Sequence, residues 1–355
     1  MTLADFSPSR DNHFTLLRLC CAVGVLLSHS VLVFSGTALP WSIVGIRLDH
    51  VFVCVFFAIS GFLICRSLHR SQDLRYYACA RAARLLPGLI VLLGLTVLVA
   101  GPLLTELRLA DYFSTASTWR YLLNLNLLDI HTQFQLPGVF QTTPYPHTIN
   151  ASLWTLPIEA WLYVMVAVGF CVLTATSISS TYWLRRRALG LAFIGYVLLS
   201  VLGHRALNTR TDDAWVMLIF VCVFLAGAFM YLARHTLVLR FRYALALCIM
   251  LWALQHTALL PALAGLAISY TTLTLAYLPR NKMRSLQRLG DYSYGLYIYG
   301  FLVQQSVIYL WPELSWPGFV LLSSTVTFAC AIASWHLVER PAQHKIKQLF
   351  QTKIR

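Results

Sequence analysis

The sequence predicts an all-α polytopic membrane protein with about ten transmembrane helices and both termini in the cytoplasm. Three observations carry that prediction. Of 355 residues, 58% are hydrophobic and 11% charged, against about 25% charged in soluble domains. Apolar runs recur from residue 14 to residue 338, and mean hydropathy is +0.68. The basic residues lie between those runs and not on one polar face, so the net charge of +14 reads as a topology signal and no nucleic-acid partner is expected.

A span needs about 20 mostly apolar residues. The first candidate, 14–34, is interrupted by Arg18 and has no cleavage site after it, so no signal peptide is expected. The second, 50–66, runs into a loop with Arg66, Arg70, Arg75, Arg81 and Arg84, and the third, 86–105, opens at Leu85-Leu86-Pro87. The fourth, 153–174, carries Glu159. The remaining spans are 188–203, 215–233, 243–258, 261–279, 293–312 and 318–338; the fifth and seventh are short, and Pro261 divides the seventh from the eighth. Asp291 reads as a cap for the ninth helix, and His336 with Glu339 as a surface pair at the end of the tenth.

Charge asymmetry orients the chain. The N-terminus, the even-numbered loops and the C-terminus hold 22 of the 27 Lys and Arg residues; the other five are Arg47, Arg108, Arg120, Arg205 and Arg210. The positive-inside rule places both termini in the cytoplasm and the longest loop, about 106–152, on the far side. The triplet Arg185-Arg186-Arg187 reads as topogenic. The nine cysteines avoid the far-side loops, so no disulfide framework is implied, and no metal-ligand spacing occurs. The whole chain, 1–355, is expected to be a single transmembrane domain without an appended soluble one.

Two ionisable groups stand out. Among 13 acidic residues only Glu159 falls well inside a span, where a carboxylate costs about 2.5–3.5 kcal/mol. His29 lies deep in the first span between Ser28 and Ser30, eleven residues after Arg18. Eleven residues come within about 20° of whole turns, so Arg18 and His29 share a helix face about 16 Å apart. Ala22 and Val25 between them would leave a shallow groove. By residue count His29 lies about 22 Å from the cytoplasmic end and Glu159 about 9 Å from the far end of a 30 Å core. A common level would let Glu159 hold the His29 imidazole in one tautomer. The plainer alternative is hydrogen-bonded packing for the histidine and a helix clamp for the carboxylate. Arg81 and Arg84, at i and i+3, form a pair suited to phosphate, or only to setting topology.

Six fragments in order resemble the acyltransferase-3 family of membrane acyltransferases. They are Arg18 with His29; Phe56-Phe57-Ala58-Ile59-Ser60-Gly61-Phe62-Leu63-Ile64; Arg81-Ala82-Ala83-Arg84-Leu85-Leu86-Pro87; Asn150-Ala151-Ser152-Leu153-Trp154-Thr155-Leu156-Pro157-Ile158-Glu159; Asp291-Tyr292-Ser293-Tyr294-Gly295-Leu296-Tyr297; and Val338-Glu339-Arg340-Pro341. The resemblance spans nearly the whole chain. It implies a bacterial inner-membrane enzyme that moves an acyl group, commonly acetyl, from cytoplasmic acyl-CoA to a hydroxyl of a surface or exported glycan such as lipopolysaccharide O-antigen or exopolysaccharide. Cys54 departs from the family pattern, which often has Asp there.

On that reading His29 and Glu159 are the expected catalytic residues, and Arg18, Arg81 and Arg84 the acyl-CoA-binding ones. Trp154, Tyr163 and Ser60 are the expected substrate-binding residues, with no metal. The partners are a glycan acceptor, lipid-linked or free, and membrane lipid. His29 would act as general base, oriented by Glu159, or form an acyl-histidine intermediate. Tyr112, Trp119, Tyr121, Phe134, Phe140 and Tyr145 in the long loop would stack on sugar rings or form an interfacial belt. The alternative class is a transporter or flippase for an amphipathic substrate, for which the paired, broken spans of internal repeats are not seen.

Overall fold

The computed structural model describes residues 2–6, 12–175, 182–206, 213–278 and 290–351. Arg210, the basic segment after the eighth span and the side chains of Arg185-Arg186-Arg187 lie outside the described residues. Among the described residues, helices overlap each of the ten expected spans. They are α1 (Phe14–Ser35), α2 (Leu48–Ser71), α3 (Leu74–Leu104), α4 (Thr155–Ala175), α5 (Tyr182–Ala206), α6 (Asp213–Leu232), α7 (Phe241–Ala253), α8 (Leu260–Tyr277), α9 (Ser293–Leu310) and α10, which begins at Trp316. Among the described residues the only ladder is a hairpin of two-residue strands, β1 (Ser42–Ile43) and β2 (Ile46–Arg47). The protein is an all-α polytopic membrane protein. Seven helices (α1, α2, α3, α4, α6, α8 and α10) are long and apolar enough to cross a bilayer. At 13 residues α7 is about 20 Å long, and α9 carries Gln304, Gln305 and four tyrosines in 18 residues.

Two helices are longer than their apolar runs. α3 starts at Leu74, twelve residues before the expected span, so Arg75, Arg81 and Arg84 lie on its first turns and not in a loop. α10 passes through a π-helical turn, Trp335–Glu339, and continues as an amphipathic helix to Gln351. Hydropathy marks where a helix is apolar, and a polar extension that packs on protein goes unseen.

The chain divides into two compact units, each assembled from three separated segments. One comprises Met1–Cys21, Trp41–Leu74 and Leu162–Leu289. Its α2 and α6 approach backbone to backbone: a Cβ on Gly61 would collide with the Phe224 carbonyl, and one on Gly227 with that of Ala58. A core of Leu3, Phe14, Ile59, Phe62, Tyr231, Tyr270 and Tyr277 closes one end.

The other unit comprises Ala22–Pro40, Arg75–Trp161 and Gly290–Arg355. Its spine is α9, which meets α1, α3, α4, α10 and the long loop. The long loop does not stay at one end of this helix. Phe140 meets Tyr309 at 5.8 Å between ring centres. The Gln305 amide donates to the Tyr145 and Thr148 carbonyls at 2.6 and 2.8 Å. Asn150 Nδ2 then donates to the Ile298 carbonyl at 2.6 Å. From Tyr309 to Ile298 the loop descends eleven residues of α9, about 16 Å. Irregular backbone at such depth requires protein partners for its polar groups, and Gln305, Asn150 and Thr143 supply them. Phe140 and His147 adopt positive φ of 54° and 59°, a strained conformation for such side chains.

Candidate active site

The first span presents His29 as expected, on an unbroken helix. The half-buried ring stands edge-on to Phe301 of α9, 5.2 Å between ring centres and 80° between planes. On either side of it Ser28 and Ser30 return their hydroxyls to the Gly24 and Leu26 carbonyls, as small hydroxyls do inside a helix. Ala22 and Val25, where the sequence suggested a shallow groove, are buried.

The carboxylate follows the turn at which α4 meets Tyr297 of α9. Thr155, opening α4 behind the 3-10 turn Ala151–Trp154, shares a 2.7 Å hydrogen bond with the Tyr297 hydroxyl. Glu159, one turn further, lies within electrostatic reach of the Tyr294 hydroxyl. Tyr294 and Phe301 are seven residues apart, about 10 Å of helix. The descending loop brings the start of α4 beside Ile298 and Tyr297 of α9.

Around Tyr294 the structure gathers a charged cluster that span-counting missed. Arg84 Nη2 lies 3.0 Å from Asp291 Oδ2, and its Nη1 3.7 Å from Glu339 Oε2. The guanidinium packs over the Tyr294 ring at 5.5 Å, and the Tyr294 hydroxyl donates to the Leu85 carbonyl at 2.7 Å. Glu339 is fully buried and accepts from the Ser334 hydroxyl at 2.9 Å. It is thus no surface residue. The extra residue of the π-helical turn changes the facing of the α10 side chains after Ser334. His336 instead meets the Tyr292 hydroxyl at 3.2 Å. Asp291 also accepts from Ser293 Oγ at 2.6 Å, so its principal partner is Arg84 and the capping role is secondary.

Arg81, one turn before Arg84, is half-buried, and among the described residues nothing pairs with it; its Nε is buried without a hydrogen bond. The two arginines are therefore not equivalent. Arg84 is flanked by the carboxylates of Asp291 and Glu339, while Arg81 meets no carboxylate among the described residues.

The other expected residues are distributed. Arg18 and Ser60 are half-buried on α1 and α2. Tyr163 is buried against Phe224 at 6.5 Å between ring centres, and Trp154 is half-buried in the 3-10 turn. Of the loop aromatics, Tyr112, Tyr121 and Phe140 are fully buried and cannot stack on a sugar; Trp119 and Phe134 are exposed. The signal for the overlooked polar contacts of α9 is the adjacent amide pair Gln304 and Gln305 inside an apolar run.

A family profile described as an acyltransferase domain, that of acyltransferase-3, matches residues 11–336 of this chain. The chain belongs to the acyltransferase-3 family. This acyltransferase is similar to the O-acetyl transferase of Shigella phage Sf6, with 28% identity over 93% of this chain and 96% of that protein. It is also similar to nodulation protein 10 of Rhizobium leguminosarum bv. viciae, with 25% identity over 95% of each chain. No solved structure matches. The match brings His29, Arg81, Arg84 and Glu159 of the acyltransferase within one family domain, and the protein is a multi-pass membrane O-acyltransferase.

Proposed function

We propose that the acyltransferase moves an acetyl group from cytoplasmic acyl-CoA to a hydroxyl of a surface or exported glycan, across the inner membrane of a bacterium and with both termini cytoplasmic. The observation that carries this reading is a half-buried histidine held at a defined point of an apolar helix, in a chain similar over its length to an O-acetyl transferase. His29 takes the proton of the acceptor hydroxyl as its oxygen attacks the thioester carbonyl. The carbon–sulfur bond then breaks, and the imidazolium returns the proton to the departing thiolate. A water-poor surrounding limits hydrolysis of the thioester. Arg81 supplies charge for the donor phosphates, which fits its lack of a partner among the described residues. Glu159 orients the imidazole, and Arg84 shapes the neighbouring wall around Tyr294.

The test is incorporation of labelled acetate into the polysaccharide fraction of cells carrying wild type, His29→Ala or Glu159→Gln at matched membrane levels. Label with wild type and its loss with His29→Ala is the expected result. Undiminished label with His29→Ala overturns the site, and absence of label in all three overturns the acetyl or glycan assignment.

A further inference from the structure

The turn of α1 that carries His29 is gripped by α9 at two points. One is Phe301, beneath the ring. The other is Gln304, one turn further along α9 and fully buried. Its Nε2 donates to the Leu26 carbonyl at 2.8 Å and to Ser30 Oγ at 2.7 Å. Leu26 and Ser30 lie three residues before and one residue after His29, so the amide spans the helical turn that sets the direction of the imidazole. The Leu26 carbonyl also accepts from the Ser30 hydroxyl at 3.0 Å, which closes a triangle of three polar groups.

The close approach of the helices makes this grip possible. A Cβ on Gly300 would come within 2.8 Å of Leu26 Cδ1, so the glycine lets the side chain of Leu26 lie directly against α9. The Gln304 Oε1 atom is buried and has no hydrogen-bond partner among the described residues. Burying an amide in apolar surroundings with one of its polar atoms unsatisfied costs about 1–3 kcal/mol. A leucine of similar size would fill the space without that cost, so packing alone does not explain an amide here.

We infer that Gln304 is a positioning residue for the transfer reaction: through Leu26 and Ser30 it fixes the rotation and height of the His29 turn. This rests on the proposed role of His29. A general base misplaced by a fraction of an ångström loses rate while substrate binding elsewhere is untouched. The expected signature is therefore a fall in kcat with little change in KM.

The experiment compares wild type, Gln304→Leu, Gln304→Glu, Ser30→Ala and His29→Ala in purified membranes, with acetyl-CoA as donor and isolated polysaccharide as acceptor, across pH. Gln304→Leu is expected to lower kcat about tenfold with both KM values within about twofold. In Gln304→Glu only the protonated carboxyl can donate, so its kcat should fall with rising pH through an ionisation that wild type lacks. Ser30→Ala should lower kcat less than Gln304→Leu, and the double variant should lose less than the product of the two effects. Wild-type kcat in Gln304→Leu, or a Gln304→Glu pH profile superimposable on that of wild type, overturns the inference. If Gln304→Leu fails to accumulate, the Gln304→Glu profile and Ser30→Ala decide it. Full activity in His29→Ala would instead overturn the reading of the site itself, which keeps the two failures apart.

Discussion

Arg81 and Arg84, one turn apart on α3, meet opposite surroundings: Arg84 is flanked by the carboxylates of Asp291 and Glu339, and Arg81 pairs with none among the described residues. Two residues that look interchangeable in an Arg-x-x-Arg pair thus divide between holding the fold and offering charge.

Arg81→Ala is expected to raise the KM for acetyl-CoA about tenfold, with membrane abundance and melting temperature near wild type. The effect should shrink at high salt, because a phosphate contact near an aqueous face is screened. Initial-rate kinetics at two ionic strengths check it; an unchanged KM removes Arg81 from the donor site.

Arg84 should behave as part of the scaffold. Arg84→Met leaves Glu339 buried without its counter-charge, an arrangement that costs about 3–5 kcal/mol when one partner of a buried pair is removed. Combining it with Glu339→Leu removes the orphaned charge, so the double variant should melt higher than Arg84→Met alone. Thermal unfolding in detergent reads this directly. A double variant that melts lower than both singles shows that the pair is not coupled in this way.

Asn150 anchors the deepest point of the descending loop, donating to the Ile298 carbonyl and accepting from Ser152 N–H. Asn150→Asp keeps the second contact and loses the first. It should destabilise the protein by about 1–3 kcal/mol, the cost of a buried carbonyl left unmatched, and Asn150→Ala should cost more. Melting curves of the two variants order the contacts.

Steric arithmetic at α2 and α6 gives a sharper contrast. Gly61→Val places a branched side chain against the Phe224 carbonyl and should abolish accumulation in the membrane, whereas Gly94→Ala, with open space around its Cβ, should be neutral or slightly stabilising. Immunoblots of membrane fractions at matched induction distinguish them.

Topology is accessible to labelling. A cysteine at exposed His131 should react with a membrane-impermeant maleimide in intact cells, and one at Gln72 only after permeabilisation. Reversed accessibility would invert the proposed orientation.

Much of this was legible in the sequence because hydropathy and the spacing of Arg18, His29, Arg81, Arg84 and Glu159 are local properties. What escaped depends on long-range contacts. α3 begins early because Arg84 has Asp291 and Glu339 for company, and no window centred on residue 80 can see residues 291 and 339. Glu339 looked superficial because regular helical spacing ignores the π-helical turn before it. The descent of the loop ahead of Glu159 was not legible, because Gln305 and Asn150, which escort it inward, act across long sequence separations.

The grip of α9 on the first helix also constrains biogenesis. Gln304 and Leu26 are 278 residues apart, and Tyr294 and Leu85 are 209 apart. During synthesis at about 5–20 residues per second, the histidine-bearing helix emerges and inserts well before its clamp exists. For an interval of about 15–60 seconds the nascent protein carries His29 on a helix that Gln304 does not yet hold. The enzyme is therefore assembled last at its centre. A chain that stops short of residue 290 lacks both Phe301 and Gln304, so its first helix inserts without either contact to α9.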